Sequence, residues 1–405
     1  MNGQGLGLSD RVAGMASNQI ADIANLGRDD PAVIKLWIGE GDLATPDFIR
    51  EAAEQALRDG HTRYTYSHGL PALRRALADY HARHWRDATG APLSLSPDRF
   101  SVTAGGVQAM MQAFQSILEP GDEVIAPVPT WPNLAEIIRI NGGRFVPVPF
   151  RVSAAGRFSL SLDDVVAAIT PRTRAIAINS PSNPTGWLMP RAQMAALVEI
   201  ARARGLWIMS DEVYGHFTDP DPETGLPRPA PSFLEVTTPT DRLLVTNTFS
   251  KNWCMTGWRA GWIIFPDGMG QVFENLSQYN TTGVATFIQH AAIAALNQGD
   301  DGIRALVRRT MASRDVLLAA LQAVPGLRIV RPQGGFYLFF GVHGMNDSFA
   351  TAVRILREAG VGLAPGSAFG PGGGNFLRLC FAIDPALATE AARRLTAFFQ
   401  APAEG

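Results

Sequence analysis

From about residue 99 the chain alternates compact apolar runs with amphipathic stretches. RFSVT is followed by Ala104-Gly105-Gly106 and then by VQAMMQAFQSIL, whose apolar positions recur at helical spacing. EVIAP, RFVPVPF, RAIAINS, LWIMSDE and RLLVTNT come next, with helical segments such as RAQMAALVEIARARG between several of them. This alternation predicts a mostly parallel sheet covered on both faces. Upstream, Thr45-Pro46 predicts a helix start, with the threonine as cap and the proline at the first helical position, and Pro71 opens a second helix, PALRRALADYHARHW. Beyond about 290 the rhythm changes. A long helical region over 284–323 leads into RIV, then GGFYLFF, a helix near 348–359, the strand FLRLCFA and a last helix near 385–400. The pattern reads as an α/β chain: a large domain over 46–290, a smaller α+β domain over 291–405, and an N-terminal segment, 1–45, packing with the smaller one.

Composition narrows the function classes. Of 405 residues, 46% are hydrophobic and 18% charged, a soluble globular balance rather than a disordered one. Glycine (40) and proline (28) exceed their usual share without a collagen-like period, so sharp loops are expected. A formal charge of −2 provides no whole-protein field for nucleic acid or an anionic membrane. No apolar run reaches the roughly eighteen residues of a spanning helix, and the first residues lack the charged and apolar regions of a signal peptide. Cys254 and Cys380 lie far apart, which excludes a disulfide scaffold. The expectation is a reducing, cytoplasmic setting with no nucleic-acid or membrane partner.

Among 35 basic side chains only Lys35 and Lys251 are lysines. Arginine stays protonated at neutral pH, so amine chemistry has two candidates. Lys251 follows the strand-like RLLVTNT, where open α/β sheets host ligands, with hydroxyls at Thr248 and Ser250 and with Arg259 eight residues on. That company suits a carbonyl-condensing amine beside a bound phosphate. Lys35, in VIKLWIG, has no such neighbours and reads as structural. Asp211 ends another strand, where a carboxylate can hold a metal or a cationic ring nitrogen. No cluster has metal-ligand spacing, so no metal is expected. Tyr214 brings a phenol nearby. His81 and His84, three apart, read as a solvated helix face. Asn179 to Gly186, NSPSNPTG, is a rigid turn after a strand. Gly105-Gly106-Val107 joins strand to helix, where backbone N–H groups face an anion. FGPGGGNF, 369–376, lacks a P-loop's Lys-Ser/Thr and reads as a surface loop. Arg378, inside an apolar strand, either pairs with an Asp or Glu or takes a ligand carboxylate.

Taken in order and spacing, GEGD before Pro46, RYTYSHGLPALRRAL, TAGGVQAM, PTWPNLAE, NSPSNPTG, SDEVYGHF, TFSKNWCMTGWRAGW, GGFYLFF, APGSAFG and LRLCFA resemble the class I/II aminotransferases of pyridoxal-phosphate fold type I, from about 30 to 400. The aspartate aminotransferase-like subgroup is the nearest resemblance. It implies a large domain with a mostly parallel seven-stranded sheet, a smaller α+β domain, and pyridoxal 5'-phosphate as cofactor. It also implies an amino group moved from an L-amino acid to a 2-oxo acid in ping-pong fashion. By position, Lys251 matches the lysine bonded to the cofactor and the later general base. Asp211 matches the partner of the ring nitrogen, Tyr214 and Asn183 the partners of the ring oxygen, and Trp131 the ring-stacking aromatic. Gly106 and Val107 match phosphate-binding amides, with Ser250 and Arg259 completing that site. Gly39 and Arg378 match the holders of the substrate's α-carboxylate, and Asn183 is counted among the substrate-binding residues with them. Tyr64 matches a tyrosine that reaches the neighbouring subunit's phosphate, which implies a homodimer.

Three positions depart from the pattern. Gly41 replaces a common proline, with a local loop effect expected. Val107 stands where the subgroup often has a lysine for an acidic side chain, so neutral or aromatic donors fit as well as aspartate, unless arginines near the cleft take a distal carboxylate. Trp187 follows NPTG where smaller residues are usual, and a narrowed entrance is expected. The alternatives are a lyase on the same scaffold cleaving a β carbon–sulfur bond and, more remotely, a non-catalytic cofactor-sensing regulator, for whose DNA-binding domain the chain leaves no room.

Overall fold

The apolar runs between 100 and 264 are the strands of one sheet: β1 (Phe100–Thr103), β2 (Glu123–Val128), β3 (Arg144–Pro149), β4 (Thr173–Asn179), β5 (Trp207–Asp211), β6 (Leu243–Thr248) and β7 (Gly261–Ile264). The structure is a computed structural model, which describes residues 7–154, 156–221 and 228–401. The spatial order is β1-β7-β6-β5-β4-β2-β3. All pairings are parallel except those of β7, which runs against both its neighbours. The central strands are buried on both faces, as their unbroken apolar runs require. β3 lies at the edge, where its two prolines cost no ladder bonds on the open side. The helix Gly106–Gln115 packs on β6 and β7, so its N-terminus opens at the carboxyl edge of the sheet.

A second, antiparallel sheet holds β8 (Leu327–Arg328), β9 (Tyr337–Val342), β10 (Ala364–Pro365) and β11 (Phe376–Cys380) in the order β8-β9-β11-β10. The helices Asp300–Gln322 and Pro385–Gln400 pack against each other beside it. The N-terminal helix Gln19–Gly27 lies on Ser348–Ala359 and β10, and Ile34–Lys35 pairs in parallel with Val361–Gly362. Lys35 is exposed there.

Three local expectations are corrected. Thr45 does not cap the helix Asp47–Arg58; its hydroxyl donates to the Cys254 carbonyl (2.6 Å) and accepts from the Trp258 indole (2.9 Å), tying the two segments together. The helical region near 284–323 is two helices, Thr286–Gln298 and Asp300–Gln322. They meet at Gly299, where a Cβ would strike Ala295 O and the Trp253 indole. His81 and His84 do not form a solvated face. His81 is 1% exposed, stacked on Trp85 with ring centroids 5.2 Å apart, and His84 is mostly buried beside Asp300 (3.1 Å). The helix Pro71–His84 turns this face toward Trp85, Phe100 and Trp262, and burial pushes the His81 imidazole down to about 3, so it is neutral.

Candidate active site

Strands β1, β4, β5 and β6 end at one edge of the sheet, and the reversed β7 begins there. That reversal brings Arg259, just ahead of β7, to the turn that follows β1. Gly261 allows the approach: a Cβ on it would lie 2.8–2.9 Å from Asn247 O, the Gly105 carbonyl carbon and Gly106 N. Gly105 has φ +85° and a side chain there would strike the Arg259 guanidinium. Arg259 itself holds φ +53°, an uncommon conformation for a residue that carries a Cβ, and its guanidinium donates to Thr256 O (2.7 Å).

A cavity of about 400 Å³ opens at this edge. Eleven of the twelve residues singled out in the sequence line it: Gly39, Gly106, Val107, Trp131, Asn183, Asp211, Tyr214, Ser250, Lys251, Arg259 and Arg378. Tyr64 does not; it is 93% exposed on the surface. Lys35 is not in the lining either, so the cavity holds a single lysine among the described residues.

Lys251 stands on a four-residue helix, Phe249–Asn252, capped by the Thr248 hydroxyl. Its Nζ donates to Gly39 O (2.6 Å), and burial pulls its amine down to about 8. Asp211 ends β5 beside Asn179 at the end of β4. Asn179 Nδ2 donates to Asp211 Oδ2 (3.1 Å), and its Oδ1 accepts from the Asn183 backbone N–H (2.7 Å). Asp211 Oδ1 is buried with no hydrogen-bond partner among the described residues, and burial pushes the carboxyl up to about 7. A buried cation placed against it would restore the carboxylate.

Arg378, from the middle of β11, is 2% exposed and forms no ion pair among the described residues. Its Nη1 donates to Asn183 Oδ1 (3.0 Å) and its Nη2 to Trp37 O, while Nε has no partner. The guanidinium lies between the rings of Tyr337 and Phe369, 4.5 and 4.9 Å from their centroids. A buried guanidinium with no carboxylate beside it among the described residues is the state that a ligand carboxylate would complete.

These features fit the cofactor that the resemblance implies. The orphaned Asp211 oxygen suits a protonated ring nitrogen. The Gly105-Gly106 turn at a helix N-terminus, with Ser250 and Arg259, suits a phosphate. Trp131 offers an aromatic face and Tyr214 a phenol.

Sequence reading missed Asn179 and Tyr337. The first orients Asp211 from the neighbouring strand; the second places its hydroxyl 2.8 Å from that of Tyr214. Both stand inside motifs already singled out, NSPSNPTG and GGFYLFF, but only the pairing of strands and sheets shows what they face. Arg28 and Asn18, from the ends of the helix Gln19–Gly27, also line the cavity, as do Ile20, Ile38 and Met110. Trp187 does not narrow the entrance. It is 4% exposed and packed against Phe150 (5.0 Å between centroids), outside the cavity lining, because its turn faces the core. Among the described residues, no group of His, Cys, Asp or Glu could hold a metal ion, and no helix is long and apolar enough to cross a membrane.

A family model described as aminotransferase class I and II matches residues 31–395. A probable aspartate/prephenate aminotransferase of Aquifex aeolicus is 35% identical over 399 residues, covering 96% of this chain and 98% of the relative. The arginine–pyruvate transaminase of Pseudomonas aeruginosa is 36% identical over 364 residues, covering 90% and 89%. The crystal structure of an aspartate aminotransferase from Thermotoga maritima superposes with a TM-score of 0.86 at 32% identity, covering 97% of this chain and all of that one.

Proposed function

This chain belongs to the class I and II aminotransferases, and from that premise we propose that Lys251, Asp211 and Tyr214 carry its chemistry and Arg378 its hold on the substrate. It is a pyridoxal-phosphate-dependent transaminase of fold type I. The named relatives are aminotransferases, which does not favour the carbon–sulfur lyase alternative. The single observation that carries the residue assignments is the meeting, in one cavity, of its only lysine, a buried carboxyl oxygen without a hydrogen-bond partner and a buried guanidinium without a carboxylate partner among the described residues.

When bound, the cofactor supplies the electron sink for charge leaving the substrate's Cα. Asp211, aligned by Asn179, holds the proton of the ring nitrogen. Tyr214 and Asn183 would hold the ring oxygen, and Trp131 would offer its aromatic face to the ring. The amides at Gly106 and Val107, with Ser250 and Arg259, hold the phosphate. Arg378 takes the α-carboxylate, with Gly39 at the same wall. Lys251 Nζ would hold the cofactor's carbonyl carbon covalently and, as the free amine, would serve as the base that holds and moves the proton of the substrate's Cα. The amino group is thus taken up in one half-reaction and given to a 2-oxo acid in the next.

For the donor we propose a neutral or aromatic amino acid, because Val107 stands in the lining where a lysine would favour an acidic side chain, and Ile20, Ile38 and Met110 add apolar side chains to that lining. Arg28, at the same wall and without a side-chain partner among the described residues, favours a dicarboxylic acceptor as the second substrate. We also propose that the chain divides near 46 and 290, works in the cytoplasm and acts as a homodimer; three exposed tyrosines, Tyr64, Tyr66 and Tyr279, support the dimer.

Borohydride reduction of the holoenzyme followed by peptide mapping tests the core of this reading. The label is expected on Lys251, and Lys251→Ala should abolish both label and turnover. A label on Lys35, or an active Lys251→Ala variant, overturns it. A donor panel against 2-oxoglutarate, oxaloacetate and pyruvate then identifies the substrates.

A further inference from the structure

Tyr337 opens β9 of the smaller sheet, yet it reaches into the cavity at the edge of the larger one. It is fully buried. Its ring lies 4.5 Å beneath the Arg378 guanidinium, and its hydroxyl is 2.8 Å from that of Tyr214. Gly39 makes room for it, since a Cβ there would collide with the Tyr337 hydroxyl. One side chain therefore touches both the guanidinium read as the substrate clamp and the phenol read as the cofactor's partner.

We propose that Tyr337 is a positioning residue that couples these two halves. Its ring orients Arg378, and its hydroxyl donates to Tyr214 Oη, leaving the Tyr214 proton free to point at the cofactor's ring oxygen. The inference rests on the site reading above. A phenol has one proton. If Tyr214 is to donate into the cavity, the bond between the two hydroxyls must be donated by Tyr337. Neither hydroxyl has another side-chain partner among the described residues, so the pair is self-contained. Among the described residues Arg378 pairs with no carboxylate, and the aromatic rings of Tyr337 and Phe369 flank its charge. Burial together with the neighbouring phenol raises the Tyr337 hydroxyl above its ordinary range, which keeps it a donor at working pH.

The two functions of Tyr337 separate by substitution. Tyr337→Phe keeps the ring and removes the donor. The pH titration of the bound cofactor's absorbance should then move up by about half a pH unit, because the ring oxygen's anionic form loses support, while the donor KM stays within about twofold. Tyr337→Leu removes the ring as well, and the donor KM should rise about tenfold. In a Tyr214→Phe background, Tyr337→Phe should cause no further shift of the titration. If either variant fails to fold, Gly39→Ala displaces the same hydroxyl without altering residue 337, and the same upward shift is expected. A Tyr337→Phe titration matching the wild type, or shifts that add in the double variant, overturns the inference while leaving the site reading intact. A wild type with no titrating cofactor bound at Lys251 overturns both.

Discussion

If the chemistry turns on Lys251, as proposed, the burial of its amine has a measurable consequence. Only the neutral amine condenses with an aldehyde. With its pKa drawn down to about 8, the neutral form is already substantial near pH 8 instead of near the ordinary lysine value of 10.5. The rate of cofactor uptake by the cofactor-free chain should therefore climb with pH and reach half its maximum near 8. A midpoint near 10.5, followed by absorbance after mixing, would contradict the burial argument. Asp211 makes the opposite shift, and a cationic ring nitrogen would draw it back toward the carboxylate form. Asp211→Asn, which keeps the shape and removes the charge, should lower kcat by about a hundredfold or more at unchanged fold. At this scale much was readable in the sequence. Lysine scarcity singled out Lys251, and the end of an apolar strand singled out Asp211. Asn179 and Tyr337 were not readable, since each acts across a strand or sheet boundary that local pattern does not reveal.

The helices show where periodicity falls short. It placed the helix Pro71–His84 well, but it could not say that the imidazole face would turn inward against four aromatic rings. Both ring nitrogens of His81 are buried without partners among the described residues. Its imidazole is neutral in the fold down to about pH 3, whereas in the unfolded chain it takes a proton near 6.5. It thus adds stability above pH 6.5 that is lost as pH falls from 6.5 toward 3. His81→Phe, which cannot take a proton, should flatten that part of the pH–stability curve, as read by chemical denaturation across about pH 3 to 7. The helix Gln19–Gly27 carries a second consequence. Arg28, where it ends, lies at the rim of the cavity. Arg28→Gln should cut kcat/KM for dicarboxylic acceptors about tenfold and leave monocarboxylic ones unchanged.

The whole molecule brings together residues from three distant stretches: the N-terminal segment with Gly39, the large sheet with Asp211 and Lys251, and the smaller sheet with Tyr337 and Arg378. The alternation of strands and helices made the larger sheet legible. The seat of the N-terminal segment on β10 and the Ser348–Ala359 helix was legible only as a general association, because contacts between remote segments leave no periodic trace. If two copies complete each site, as the exposure of Tyr64 supports, light scattering should give twice the chain mass, and Tyr64→Phe should weaken cofactor retention about tenfold without dissociating the pair. The near-absence of lysine also makes the protein a convenient analytical object. An acylating reagent meets one side-chain amine exposed on this chain, at position 35, and one that a cofactor bound as proposed would cover, at position 251. The first serves as an internal standard for the second, so mass spectrometry of two peptides would gauge how much of a preparation is loaded, with no need for a coloured ligand or an assay.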